Sequence, residues 1–145
     1  MLLKCQSETG FSLMEVMITL VIIGLLAAIA YPAYTDTVTK SRRAAAQTAL
    51  LDLQNRMERY FVDHGTYATA TIETGAATDV LSDATTENGF YELSIAAQTQ
   101  TTYTLHATPQ GTQNTHDTLC KTLTLDNQGN KGISGGTATD PSQCW

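Results

Sequence analysis

The stretch FSLMEVMITLVIIGLLAAIAYPAYT, residues 11–35, ends in a run of 20 residues, 16–35, without one charged side chain. As an α-helix rising about 1.5 Å per residue, such a run reaches about 30 Å, the thickness of a bilayer hydrocarbon core. Gly24 and Pro32 interrupt it only mildly, because in apolar surroundings neighbouring helices and local backbone adjustments take up the freed groups. A kink near Pro32 is expected. Glu15 stands at the edge of the run, where a carboxylate is expensive: central membrane charges cost about 2.5 to 3.5 kcal/mol. That cost predicts a cationic partner or a functional path for Glu15, against the plainer reading of a headgroup-level carboxylate at a helix end.

The rest of the chain is a different material, rich in Thr, Gly, Gln and Asn. The averages of 42% hydrophobic and 15% charged residues conceal this junction. About 100 residues remain beyond the apolar segment, too few for a soluble catalytic domain of ordinary size, and they fit a small exported or membrane-tethered module. A net charge of −6 argues against a general nucleic-acid binder, whose affinity comes mostly from neutralising phosphates. The cysteines, Cys5, Cys120 and Cys144, are an odd count, unusual in an exported chain.

Gly10, followed by Phe11 and then by Glu15 as the fifth residue after the glycine, resembles the type IV pilin signature. The resemblance implies that a prepilin peptidase cuts between Gly10 and Phe11 and methylates the new amino group on Phe11. Cys5 would leave with the leader of residues 1–10. Cys120 and Cys144 would then form an even pair suited to one disulfide in an oxidising compartment. The resemblance also gives Glu15 a role in assembly: its carboxylate pairs with the Phe11 amine of a neighbouring subunit as apolar helices leave the bilayer for a filament core. Charge coupling is strong there but desolvation opposes it, so the pair would set register more than it adds stability.

The leader carries only Lys4 as a base, while Lys40, Arg42 and Arg43 lie beyond the apolar run, so the positive-inside rule points the other way. Either a start upstream of Met1 or an overridden rule would account for this, and the cysteine pair favours a head placed outside. A conventional secretory signal, with the A-x-A pattern of Ala28, Ile29 and Ala30, is the weaker alternative, since it leaves Glu15 unexplained.

Beyond Lys40 the segment SRRAAAQTALLDLQNRMERYFVDHG continues a helical period, with Ala46, Leu50, Leu53, Met57, Tyr60 and Phe61 at three- and four-residue steps. Arg42, Arg43, Gln47, Asp52, Asn55, Arg56 and Arg59 form its polar side, Asp52 precedes Arg56 in the favourable i,i+4 order, and Gly65 can end the helix. One helix over residues 11–64 is expected, and its first half must pack elsewhere, in a bilayer and then in a bundle of like helices. Residues 89–97 (GFYELSIAA), 101–109 (TTYTLHATP) and 118–126 (TLCKTLTLD) alternate as strands, predicting a three- or four-stranded antiparallel meander. Residues 67–88 read as a Thr/Ala loop of the kind that varies surface chemistry.

The expected architecture is therefore α+β: a long N-terminal helix with a membrane-embedded first half, packed on a small antiparallel sheet. The expected domains are a leader at 1–10, a transmembrane and assembly helix at 11–35, and a periplasmic head at 36–145 with its helix at 36–64. A Cys in a strand, then LTLDNQGNKG, then a terminal CW resembles the C-terminal region of type IVa pilins, PilE-type minor pilins in particular, with a Cys120–Cys144 disulfide. The 25-residue loop it would close is worth about 3 to 4 kcal/mol.

Residues 126–132 (DNQGNKG) supply oxygen ligands but lack a closing Glu, so a plain turn is favoured over a calcium loop. His64, His106 and His116 are scattered without metal spacing, and His116 beside Asp117 is a neighbour pair rather than a catalytic arrangement. No phosphate loop or nucleophile elbow occurs; no catalytic residue, metal or cofactor is assigned, and a non-enzyme is expected.

The resemblance implies a structural subunit, most like a minor pilin, that takes part in type IV pilus assembly and thereby in adhesion, twitching motility and DNA uptake. Its partners would be other pilins, the prepilin peptidase, the inner-membrane assembly machinery and, before assembly, the lipid bilayer. Its location would be the inner membrane with the head in the periplasm, then the extracellular pilus. Less favoured are a type II secretion pseudopilin and a head that binds DNA or a surface through Lys40, Arg42, Arg43, Arg56, Arg59, Lys121 and Lys131, most of which read as a solvated or interface face.

Overall fold

The computed structural model describes residues 10–145, in two compact units that divide after Thr35; Cys5 and the rest of the expected leader before Gly10 lie outside the described residues. Helix α1 (Leu13–His64) contributes to both units, beginning two residues later than expected. Pro32 lies within it, and the Thr35 hydroxyl donates to the Pro32 carbonyl at 2.9 Å. Thr19 likewise donates to Val16 O at 2.8 Å, so both threonine hydroxyls of this apolar portion are satisfied on their own helix.

In the second unit, Asp36–Trp145, the stripe of Ala46, Leu50, Leu53, Met57 and Tyr60 is buried, as the three- and four-residue spacing demands. Phe61 packs against the core only partly. The helix ends at Gly65, whose φ of 71° is the left-handed conformation that glycine adopts without strain, and its amide donates to Phe61 O at 2.7 Å.

The stripe is covered by a four-stranded antiparallel meander in the order β3 (Tyr91–Gln98), β4 (Tyr103–Pro109), β5 (Thr122–Asp126), β6 (Lys131–Ser134). Alternation along β4 sends Tyr103, Leu105, Ala107 and Pro109 inward. The register sets Leu93 opposite Ala107, Leu105 opposite Leu125 and Leu123 opposite Ile133, so apolar side chains meet on one face.

Several expectations are corrected in detail. Residues 67–88 are not wholly loop: β1 (Thr71–Ile72) and β2 (Asp79–Leu81) pair in parallel, too short to leave a periodic signal. Strand β5 starts only at Thr122, because Lys121 sits at a φ of 51°, which ends extended pairing. Lys131 and Gly132, read as part of a turn, open β6. A short helix, α2 (Gly111–His116), fills the connection between β4 and β5.

Cys120 and Cys144, 24 positions apart, are joined by a disulfide and are both buried. Around it the tail is pinned at three places: Gln47 donates to Cys144 O at 2.7 Å, Trp145 Nε1 donates to Gly132 O at 2.9 Å, and a Cβ on Gly136 would collide with the Leu119 and Cys120 backbone. Replacing Cys144 by Ser should lower the stability of the head by about 3 to 4 kcal/mol, read as a shift in the urea midpoint at constant slope. An unchanged midpoint would show that those other contacts suffice.

Candidate functional site

The first unit presents a surface that no described residue of the chain covers. Phe11 is 83% exposed, and Leu13, Met14, Val16, Ile22, Leu25 and Ile29 are also among the large apolar side chains left open along this half of α1. Exposure on this scale marks a surface built for another apolar phase or another protein. The helix is apolar and long enough to cross a membrane by composition alone.

At its start Gly10 and Phe11 precede the first turn, and the Ser12 carbonyl accepts from the amides of Glu15 (3.0 Å) and Val16 (3.2 Å). Glu15 therefore lies in the first turn of α1, where the unpaired amides favour a negative charge. Among the described residues it forms no ion pair. Gly10, Phe11 and Glu15 are close in sequence and exposed, so the Glu15 carboxylate is accessible to a neighbour.

In the head, a buried polar network joins α1 to the sheet. Arg43 grips Asp117 through two bonds, Nη2 to Oδ1 at 2.6 Å and Nε to Oδ2 at 3.1 Å. The Tyr91 hydroxyl donates to Asp117 Oδ2 at 2.7 Å, Cys120 N donates to Oδ1 at 3.2 Å, and Gln113 Nε2 donates to Thr39 O at 3.1 Å and to the Tyr91 oxygen at 3.0 Å. Burial pushes the Asp117 carboxyl upward, but the bonds from Arg43 and Tyr91 outweigh it and hold the group below its ordinary range. Burial likewise opposes the Arg43 charge, and Asp117 more than restores it. Removing one partner of such a pair costs about 3 to 5 kcal/mol, since it strands the other charge.

This network corrects two sequence readings. Arg43 was grouped with the exposed cations, but it is 8% exposed and neutralised by Asp117. Asp117, read only as the neighbour of His116, is the acceptor that organises the turn into Cys120. The signal was present on one side: Thr39 and Arg43 continue the 46, 50, 53, 57 stripe backwards by three- and four-residue steps.

The other proposed cations are dispersed. Lys40 pairs with Asp36 and Arg56 with Asp52, each at 2.7 Å. Arg42 lies 3.5 Å over the Phe90 ring, Lys121 donates to Asn114 Oδ1 at 2.8 Å, Lys131 sits 5.1 Å over the Trp145 ring, and Arg59 is exposed. His64, His106 and His116 lie on α1, β4 and α2 respectively, and burial lowers the His106 pKa. Asp126 turns its carboxylate onto its own loop, accepting from the amides of Gln128 (2.9 Å) and Asn130 (2.8 Å), the geometry of a turn.

Glu58 accepts from the hydroxyls of Tyr67 (2.9 Å) and Tyr103 (2.6 Å). Burial and the Glu58 charge push Tyr67 up to about 12 and raise Tyr103 as well, while burial and Asp117 raise Tyr91. The signs give a two-sided pH profile. Asp117, lowered from 3.8, contributes fully above pH 3.8 and loses that contribution as pH falls further; the tyrosines, raised from 10.0, contribute fully below pH 10.0 and lose it as pH rises. His106, lowered from 6.5, adds a loss as pH falls below 6.5, so denaturant unfolding of the head should show a plateau from about pH 7 to 9 and an alkaline fall that Tyr103→Phe reduces. Undiminished stability at about pH 12 would contradict the Glu58 arrangement.

A family model described as type IV minor pilin ComP, DNA uptake sequence receptor, matches residues 32–124, and the prokaryotic N-terminal methylation motif matches residues 5–31. The fimbrial protein EcpC of Eikenella corrodens is 33% identical over 141 residues, covering 97% of this chain and 82% of that protein. The type II secretion system core protein G of Vibrio cholerae is 35% identical over 66 residues, covering 46% of this chain and 45% of that one, so the two share less than half their lengths. Among solved structures, the Neisseria meningitidis non-core minor pilin PilV has the same fold, with a TM-score of 0.54 at 23% identity over 71% of this chain and 93% of that chain.

Proposed function

This chain belongs to the type IV minor pilins and is a structural subunit that assembles with other pilins in a filament; on that premise we propose that it is cut by a prepilin peptidase between Gly10 and Phe11 and methylated on the new Phe11 amine. Residues 1–10 are then the leader, 11–35 the membrane and assembly helix, and 36–145 the head. Before assembly the helix crosses the inner membrane once with the head in the periplasm, where the Cys120–Cys144 disulfide survives. Drawn out by the inner-membrane assembly machinery, the subunit joins an extracellular pilus that serves adhesion, twitching motility and DNA uptake.

The observation that carries this reading is the juxtaposition of Glu15, exposed in the first turn of α1, with an apolar helix face that stays uncovered. The Phe11 ammonium remains cationic after methylation and, on a neighbouring chain, offers the carboxylate its partner. Each charge is costly alone in an apolar bundle, and together they satisfy one another, so an incoming helix docks only at the register where they meet. Glu15→Ala should leave processing intact and block incorporation: the variant accumulates in the membrane as the cut form and falls at least about tenfold in sheared filaments, the loss expected when about 1.4 kcal/mol of assembly free energy goes. Normal incorporation would remove Glu15 from the assembly step.

A second reading, a head that receives DNA, is supported by the description of the matching family and by Lys131 stacked on Trp145 beside the disulfide-bounded tail. The net charge of −6 weighs against it unless the contact is local. If Lys121 and Lys131 each meet a phosphate, charge reversal of both should reduce the slope of log affinity against log salt by about 1.8. A wild-type head with no salt slope would sink the DNA reading.

A further inference from the structure

Strand β3 is an edge of the four-stranded sheet, and its outer side is only partly covered. Residues 84–86 shield its beginning: Leu93 N donates to Ala84 O at 2.6 Å, and Thr86 N donates to Tyr91 O at 2.9 Å. Since Leu93 turns its amide outward, alternation along the antiparallel ladder points the amide and carbonyl of Ile95 outward too. There the shield has ended, and an open cleft of about 460 Å³ separates β3 from residues 70–74. Neither Lys nor Pro blunts the stretch from Ser94 to Ala97; only the register shift between Ile95 and Ala97 limits how far an added strand could pair.

The cleft also has a charge. Residues 66–101 hold five carboxylates, Glu73, Asp79, Asp83, Glu87 and Glu92, and no Lys, Arg or His, whereas the rest of the head carries seven acidic residues against seven Lys and Arg and three His. Neutral groups answer these carboxylates: Glu73 accepts from Ala84 N at 3.0 Å, Glu92 from Gln110 at 2.9 Å, and Asp79 from Thr71, Thr74 and the Gly75 amide. Such donors carry no net charge and so leave the carboxylate's charge uncancelled. Glu73 and Glu92 face the cleft together with Gln98, whose Nε2 donates to Ala68 O and Ala70 O while its Oε1 is buried without a partner.

We propose that the open edge of β3 at Ile95, with the Glu73/Glu92 cleft beside it, docks an extended Lys- or Arg-bearing segment of a different protein, which adds to the sheet as a short strand. Backbone bonds to Ile95 supply the pairing, and the uncompensated carboxylates select a cationic strand over an acidic one. A second copy of this chain offers one cation in an extended edge strand, Lys131 at the start of β6, and no pair of cations at alternate strand positions. The cations of its head lie on α1, at Lys40, Arg42, Arg43, Arg56 and Arg59, or stand singly at Lys121 and Lys131.

The test uses the full chain in detergent micelles and two fluorescent peptides, TKVKVKT and TEVEVET, followed by anisotropy across a salt series and by hydrogen exchange of residues 91–98. The basic peptide should bind, weaken as salt rises, and slow exchange in β3. Glu73→Gln with Glu92→Gln, isosteric changes that keep both acceptor oxygens, should reduce its affinity about tenfold, as loss of charge complementarity does. Equal affinity for both peptides, unchanged exchange in β3, or self-association that the basic peptide and the double variant both abolish would overturn the proposal, the last by making a second copy the occupant.

Discussion

An apolar helical surface left open by the described residues of its own chain is the constraint from which the rest follows. The 20 uncharged residues from 16 to 35 are exposed along one half of α1, and leaving them in water is unfavourable by about 25 cal/mol per Å². Such a segment is stable only against lipid or against other helices, so a membrane phase and an assembled phase are the two states that its chemistry permits. In the proposed assembly Glu15 makes the exchange between them selective, because a carboxylate in that surface tolerates only an arrangement that brings it a cation. There a filament of pilins processed at Phe11 supplies both the helices and the cationic chain ends.

The head solves a different problem. With only about 100 residues it has a small core, which it supplements by tying distant segments together. Helix α1 supplies Arg43 and Gln47, the sheet supplies Tyr91, and the tail is held by the disulfide and by Asp117 at the turn into Cys120. The buried ion pair is not there for raw stability, since a well-packed apolar pair often does as well; it fixes which face of α1 meets α2 and β3. The segment 66–101 contributes Tyr67, Ala70, Val80, Tyr91 and Leu93 to that core while its five carboxylates stay at the surface.

Much of this was legible in the sequence. The helix, its buried stripe from Ala46 to Tyr60, its end at Gly65 and three of the four meander strands follow from periodicity and turn chemistry, and the resemblance to the pilins was carried by Gly10, Phe11 and Glu15, which lie within the span that the methylation motif matches. What escaped was set by tertiary contact. β1 and β2, two and three residues long, exist because they pair with each other, and β6 hid in a segment whose Asn and Gly residues read as a turn. Arg43 and Asp117 are 74 positions apart, and an ion pair across that separation leaves no local pattern beyond the stripe position of Arg43.

The central claim, that the apolar helix begins at a processed Phe11 and works inside a filament, is tested most directly by mass spectrometry of the N-terminal peptide of this chain in filaments sheared from the cell surface. The account predicts a peptide that begins at Phe11 with one added methyl group on its amine, at the low abundance of a minor subunit. An N-terminus at Met1 or Tyr31, or absence of the chain from filaments while it remains abundant in the membrane, would contradict it.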